Sequence, residues 1–273
     1  MEEYGMYKFG GRFYISVDLE GIACVIGEYG KGLGFDTPGY AYACKQATRE
    51  TNAAAKALYD AGATEVYVWD CHGKGYNLNY DELDDRVKIV MGAGSKKRFP
   101  DIETGFDGVL FIGYHAYDTV SAVLAHVYSS ATYQYQKIDG KDVGEMQIDA
   151  AIAGKYGCPV IFASSDNVCV SQAIASFGNI NTVVTKKALA WNSCICVHPK
   201  QVCREIYEKV LDAAKKANEY KPYTFDETFE YEVRFKRIEY AESAALVSKD
   251  GSRFVRTDAY TVKGTLDDPE RIF

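Results

Sequence analysis

Residues 13–20, FYISVDLE, decide the fold. Phe13 to Val17 is an apolar run of the length of one buried strand, and two acidic residues, Asp18 and Glu20, stand directly at its carboxyl end. The same grammar recurs downstream. Val66 to Trp69 (VYVW) is followed by Asp70-Cys71-His72, and Val109 to Ile112 (VLFI) by Gly113-Tyr114-His115. Val160 to Ala163 is a fourth such run and Thr182 to Thr185 a candidate fifth. Between the runs lie helical stretches. A loop through Gly30, Gly32 and Gly34 leads to a helix from about Pro38 to Asp60, with Pro near its start and Gly62 just past its end. Val143 to Tyr156 forms a second helix stopped by Gly157, after a turn at Asp139-Gly140. Strands alternating with helices in this way predict an α/β protein, a three-layer, mostly parallel sheet flanked by helices.

Beyond Pro199 the pattern changes. Val202, Ile206 and Val210 recur every fourth residue, the stripe of an amphipathic helix that runs to about Glu219. Phe229, Tyr231, Val233 and Phe235 then alternate with charged residues, the period of a half-exposed antiparallel strand, and Asp250-Gly251 turns a later hairpin. We expect a catalytic α/β domain over residues 1–190 and a smaller α+β portion over 191–273.

With 47% apolar and 25% charged residues over 273 positions, the composition excludes a disordered or fibrous chain. A net charge of −7 gives no ground for binding nucleic acid or an anionic membrane surface. The longest apolar runs fall far short of the roughly 20 residues that span a bilayer. The opening stretch MEEYGMYKFGGRFYIS lacks the charged and apolar parts of an export signal, so the expected location is the cytoplasm, with the eight cysteines reduced. Cys194 and Cys196, one residue apart, match neither a zinc knuckle nor a redox motif.

Ligands of open parallel sheets bind beyond the carboxyl ends of the strands, so the three polar strand ends should meet in one crevice. Residues two apart on extended backbone point the same way, which lets Asp18 and Glu20, or Asp70 and His72, address one centre. Carboxylates crowded together repel unless a cation lies between them. Oxygen and imidazole donors suit zinc, and more than four candidates suit two metals about 3.5 to 4 Å apart with one carboxylate bridging. A single strand-end Asp is more often a turn former, and a single His more often a hydrogen-bonded rim residue. Weight comes from coincidence: two of the four histidines occupy equivalent strand ends.

The segments SVDLEGI (16–22), WDCHGK (69–74), GYHA (113–116), AHVYSS (125–130) and VGEMQIDA (143–150) resemble, in order and spacing, the successive motifs of the D-aminopeptidase family of zinc metallopeptidases. The resemblance runs from about residue 13 to 170 and more loosely to the alternating strand near 230. It implies that Asp18, Glu20, His72, His115 and Glu145 hold two zinc ions per subunit, with Asp18 bridging. It also implies that His126 acts in catalysis without ligating metal, and that the subunits form a decamer of two stacked five-membered rings. The implied substrate is a short peptide or amino-acid amide with an amino-terminal D-residue such as D-alanine. On their own terms Glu145 reads as an acidic residue stabilised at a helix start, and His126 as a rim residue. Asp70 reads either as a group orienting His72 or as a loop cap. His198, before Pro199, is structural.

Cys24, Cys71, Gly73 and the stretch Asp118 to Leu124 depart from the family pattern, and the last is expected to line the substrate entrance. The expected chemistry is metal-assisted hydrolysis, with a protonated His126 at the oxyanion and then the leaving amine. Two other readings fit the same ligands: a two-metal phosphoesterase, and a non-catalytic assembly subunit that binds metal for stability. Neither GKGLG (30–34) nor GAGSKK (92–97) has the spacing of a phosphate-binding loop.

Overall fold

Phe13, Ile15 and Val17 pack on one side of the first strand, β1 (Arg12–Val17), and Tyr14 on the other, so this strand is buried on both faces. The computed structural model describes residues 10–95 and 97–273. The first nine residues, part of the stretch read for an export signal, and Lys96, within GAGSKK, lie outside the described residues. After β1 come α1 (Tyr40–Asp60), β2 (Glu65–Asp70), β3 (Lys88–Val90), β4 (Gly108–Ile112), β5 (Tyr133–Ile138), β6 (Lys141–Val143), α2 (Glu145–Lys155), β7 (Val160–Asp166) and α3 (Asn167–Phe177). The chain continues through β8 (Asn181–Ala190), β9 (Ser193–Cys196), α4 (Pro199–Lys215), β10 (Phe229–Phe235), α5 (Ile238–Ser243), β11 (Val255–Arg256) and β12 (Thr261–Leu266).

Seven strands form one sheet in the order β3-β2-β1-β4-β7-β8-β9, parallel throughout except for the β8–β9 pair. Its two faces are covered differently. Leu110 and Ile112 of β4 join Ala54, Leu58, Val202 and Ile206 in the core under α1 and α4. Val109 and Phe111 join Ile148, Ile152 and Ala173 in the core under α2 and α3, which also takes in Phe229, Tyr231 and Val233 of a second sheet. The predicted three-layer α/β arrangement is present.

The second sheet is antiparallel, in the order β11-β12-β10-β5-β6. The alternation read from residues 229–235 appears as strict inward and outward facing. Asp139 and Gly140 both have positive φ, 49° and 76°, which builds the tight turn between β5 and β6. The change of pattern near residue 190 falls between two strands of the first sheet: β9 and α4 pack there, while β5 and β6 come from the first 190 residues and pair in the second sheet. Tight packing on α1 holds α4 in the first layer system despite its late place in the chain. No helix among the described residues is long and apolar enough to cross a membrane.

Chain order reverses beside β1, whose neighbours are β2 on one side and β4 on the other. The loops leaving β1 and β4 touch there. Gly21 N–H donates to the Gly113 carbonyl at 2.7 Å, and a Cβ at Gly21 would collide with the Tyr114 carbonyl. Gly113 has φ of 74°, and a Cβ there would collide with the Asp18 carbonyl. Both glycines are therefore required for the two strand ends to approach one another.

Candidate metal centre

Asp18 and Glu20 leave the end of β1, His72 follows β2, His115 follows β4, and Glu145 is the first residue of α2. All five line a cavity of about 360 Å³, together with His126 from the loop between β4 and β5. Donor atoms of Asp18, Glu20 and His115 lie within 4.8 Å of one another, and so do those of His115, His126 and Glu145. His72 joins through Glu20, its Nε2 standing 3.1 Å from Glu20 Oε1. Every residue expected at the site is thus gathered there.

The orientation of His115 tests whether a cation fits. Its Nδ1 lies 3.1 Å from the Ala116 carbonyl, which can only accept, so Nδ1 carries the hydrogen. The other nitrogen, Nε2, faces two carboxylate oxygens, Glu145 Oε1 at 3.2 Å and Asp18 Oδ2 at 3.6 Å. A lone pair aimed at two anions is repulsive unless a positive charge sits between them. Without a metal a proton must fill that place: burial opposes it, but Glu145 and Asp18 prevail and raise the His115 pKa to about 10. His72 behaves likewise, burial being outweighed by Glu20, and is also raised to about 10. Burial and the neighbouring Glu20 push the Asp18 carboxyl well above its ordinary range. Glu20 Oε2 is buried with no hydrogen-bond partner among the described residues. Two protons held high, a strained carboxylate and an orphaned oxygen are the signs of a cage built around cations, and this donor set fits zinc.

An imidazole offers one lone pair per nitrogen, and Nδ1 of His115 is committed to a carbonyl. A ligand common to two ions must therefore be a carboxylate.

His126 stacks on His115 with ring centroids 3.8 Å apart and planes 12° from parallel. Its Nδ1 donates to the Leu124 carbonyl at 2.7 Å, leaving Nε2 as the basic nitrogen. Burial, then the adjacent His115, lowers its pKa below the ordinary imidazole value.

Asp70 is a loop cap. Its carboxylate accepts from Asn77 N–H, Asn77 Nδ2, Leu78 N–H and Tyr80 hydroxyl at 2.5 to 3.0 Å. Asn77 in turn donates to the His72 carbonyl at 2.7 Å, so the cap steadies the loop that presents His72. His198 caps α4, its Nδ1 accepting from Lys200 N–H. Of the stretch Asp118 to Leu124, Leu124 alone lines the cavity, whose rim is built from Lys31–Gly34, Ser129–Ala131 and Trp191.

Two residues that matter to the site escape sequence reasoning. Lys186 of β8 is fully buried, and its ammonium donates to the carbonyls of Glu20, Ile22 and Val25 at 2.5 to 2.9 Å, pinning the loop that carries Glu20. Arg98 pairs with the buried Asp149 of α2 through Nε and Nη2, at 2.5 and 2.6 Å, in the cavity wall. Lys186 follows the end of an expected strand but belongs to no recognisable motif, and Arg98 has neither mark; only their tertiary partners give them meaning.

Comparisons with known proteins agree with this geometry. The chain is 28% identical over 245 residues to a D-aminopeptidase of Bacillus subtilis, covering 86% of this chain and 85% of that protein. The solved structure of the Zn-dependent D-aminopeptidase DppA from Bacillus subtilis, described as a self-compartmentalizing protease, superposes with a TM-score of 0.82. That match has 25% sequence identity over 95% of this chain and 93% of the other. The profile of the D-aminopeptidase family matches residues 12–273, more than half of the chain, and the chain belongs to that family.

Proposed function

We propose that the protein is a zinc-dependent aminopeptidase that removes amino-terminal D-residues, D-alanine among them, from short peptides or amides. Asp18, Glu20, His72, His115 and Glu145 would hold two zinc ions, with Asp18 bridging. The observation that carries this reading is His115 Nε2, which points between two carboxylates while its Nδ1 hydrogen is spent on the Ala116 carbonyl. Zinc and D-selectivity come from family membership and from the Zn-dependent relative.

When bound, a zinc pair supplies a nucleophile at neutral pH and Lewis acidity at the scissile carbonyl. The chain's own groups do the rest. Lys186 and Asp70 hold the loops of Glu20 and His72 in place as the substrate binds. His126 Nε2 takes a proton as water adds to the carbonyl carbon and delivers it to the departing amine as the C–N bond breaks. Its Nδ1 hydrogen stays on Leu124 throughout, which holds the ring in one tautomer.

Self-association belongs to the same reading. Near the cavity mouth Tyr29 stacks on Trp191 at 5.7 Å, and Tyr29, Phe35, Leu189 and Ile195 are all exposed. Exposed apolar side chains of this kind favour contact between copies. We propose the decamer of two five-membered rings; light scattering should give a mass close to ten times the 30.3 kDa chain. Eight free cysteines fit a cytoplasmic location.

The test is elemental analysis of the purified protein beside hydrolysis of D-alanine amide. About two zinc equivalents are expected, with activity abolished by chelator and restored by zinc. His115→Ala should lose about half of the metal. Turnover in metal-free protein at the untreated rate would overturn the reading.

A further inference from the structure

Arg98 has more hydrogen-bonding capacity than the protein uses. A guanidinium carries five N–H groups and two edges that each match a carboxylate. Asp149 occupies one edge, through Nε and Nη2. Nη1 makes no hydrogen bond among the described residues, although the side chain is held firmly between the rings of Trp69, Tyr128 and Phe273, 4.7 to 5.5 Å away. Asp149 is saturated by contrast, accepting from the Tyr114 hydroxyl as well. Its anchoring ion pair and three rings fix the plane of the guanidinium, so the free edge has a set direction and little entropy left to lose.

The setting selects the ligand. Arg98 lines the same cavity as Asp18, Glu20 and Glu145, and its charge reaches Glu145. With those acidic groups taken up by metal, the guanidinium edge is the part of the wall shaped to pair with a carboxylate on an incoming molecule. We infer that the free edge of Arg98 is a subsite for the C-terminal carboxylate of the peptide substrate, which would set a preference for very short peptides over their amides. This rests on the aminopeptidase reading above. Tyr128, which packs on Arg98, and Ser129 and Ser130 also line this cavity.

The experiment is steady-state kinetics of the zinc-loaded enzyme on D-alanyl-glycine and on its C-terminal amide. A charge-assisted pair in a desolvated wall should raise KM for the amide by roughly 10- to 100-fold with kcat little changed. In the double variant Arg98→Gln/Asp149→Asn, whose side chains can still hydrogen-bond each other, the ratio of acid to amide efficiency should fall to near one. Equal KM values for acid and amide in the parent enzyme overturn the subsite alone, and that arm stands even where the double variant fails to fold. A double variant that keeps the parent's preference also overturns it, because the carboxylate is then held elsewhere. Turnover of neither peptide removes the aminopeptidase reading and the subsite with it.

Discussion

The buried carboxylates of Asp149, which lies behind the cavity wall, and of Glu20 and Asp18, which line the cavity, are treated in opposite ways. Asp149 accepts from Arg98 twice and from Tyr114, all at 2.5 to 2.6 Å. Among the described residues, Glu20 has one oxygen on His72 and the other without a partner, and Asp18 has His115 at 3.6 Å. A carboxylate whose partners lie within the chain is part of the scaffold. One that is buried and left short is a socket for something the chain does not encode. Substituting each should therefore have effects of different kinds.

The largest effect is expected from Asp18→Asn. On the proposed ligand set, the variant should bind less than one zinc equivalent by elemental analysis, and hydrolysis of D-alanine amide should fall to the uncatalysed background. In metal-free protein the same change removes a carboxyl whose ionisation burial and Glu20 oppose, so the melting temperature should equal or exceed that of the metal-free parent. A metal-free variant that melts well below its parent would mean that Asp18 is scaffold too.

His126→Ala comes next. A positioned proton carrier contributes about 10²- to 10⁴-fold. We expect that loss in kcat at unchanged metal content, read by single-turnover rates beside elemental analysis. Loss of a zinc equivalent instead would make His126 a ligand, a role its proximity to His115 and Glu145 permits.

Asp149→Asn should act on stability. It leaves Arg98 charged and unpaired in a buried wall, a change that costs about 3 to 5 kcal/mol where one partner of a buried ion pair is removed. Denaturant unfolding should show that loss in both metal-free and zinc-loaded protein. A variant as stable as its parent would erase the distinction between the two groups.

The same division governs what could be read from the sequence. Strands β1, β2, β4 and β7 were legible because a central parallel strand is a short apolar run, and Asp18, Glu20, His72 and His115 were legible because a polar residue ending such a run needs a reason. Glu145 and His126 carried no such mark and became visible through resemblance alone. Lys186 reads locally as the polar end of strand 182–185, yet it is fully buried because three carbonyls of the β1 loop converge on its amine. Strand β5 escaped because its partner β10 lies about ninety residues further on, as the Tyr231–Ile138 register shows, and β6 is a three-residue edge strand that pairs only with β5. Polar strand ends announce themselves; groups satisfied by distant backbone do not.

The smallest effect concerns Glu50 of α1, a further buried carboxylate of intermediate kind. Its Oε1 accepts from Ala23 N–H at 3.1 Å and from Gln46 at 3.0 Å, while Oε2 has no partner among the described residues. Burial dominates and raises its pKa from 4.5 to about 7, against the pull of Gln46 and Ala23. The folded state therefore binds a proton that the unfolded chain releases near pH 4.5. The stabilisation is fully present below pH 4.5 and is lost as the pH rises through about 7, with a slope of at most about 1.4 kcal/mol per pH unit. Glu50→Gln keeps the acceptor oxygen for Ala23 and cannot ionise. Subtracting its denaturant-stability profile from the parent's across pH 4 to 8 should reveal that slope, with the variant gaining on the parent as the pH rises. A flat difference would mean that Glu50 already has a hidden partner, such as a buried water, and belongs with Asp149 rather than with Glu20.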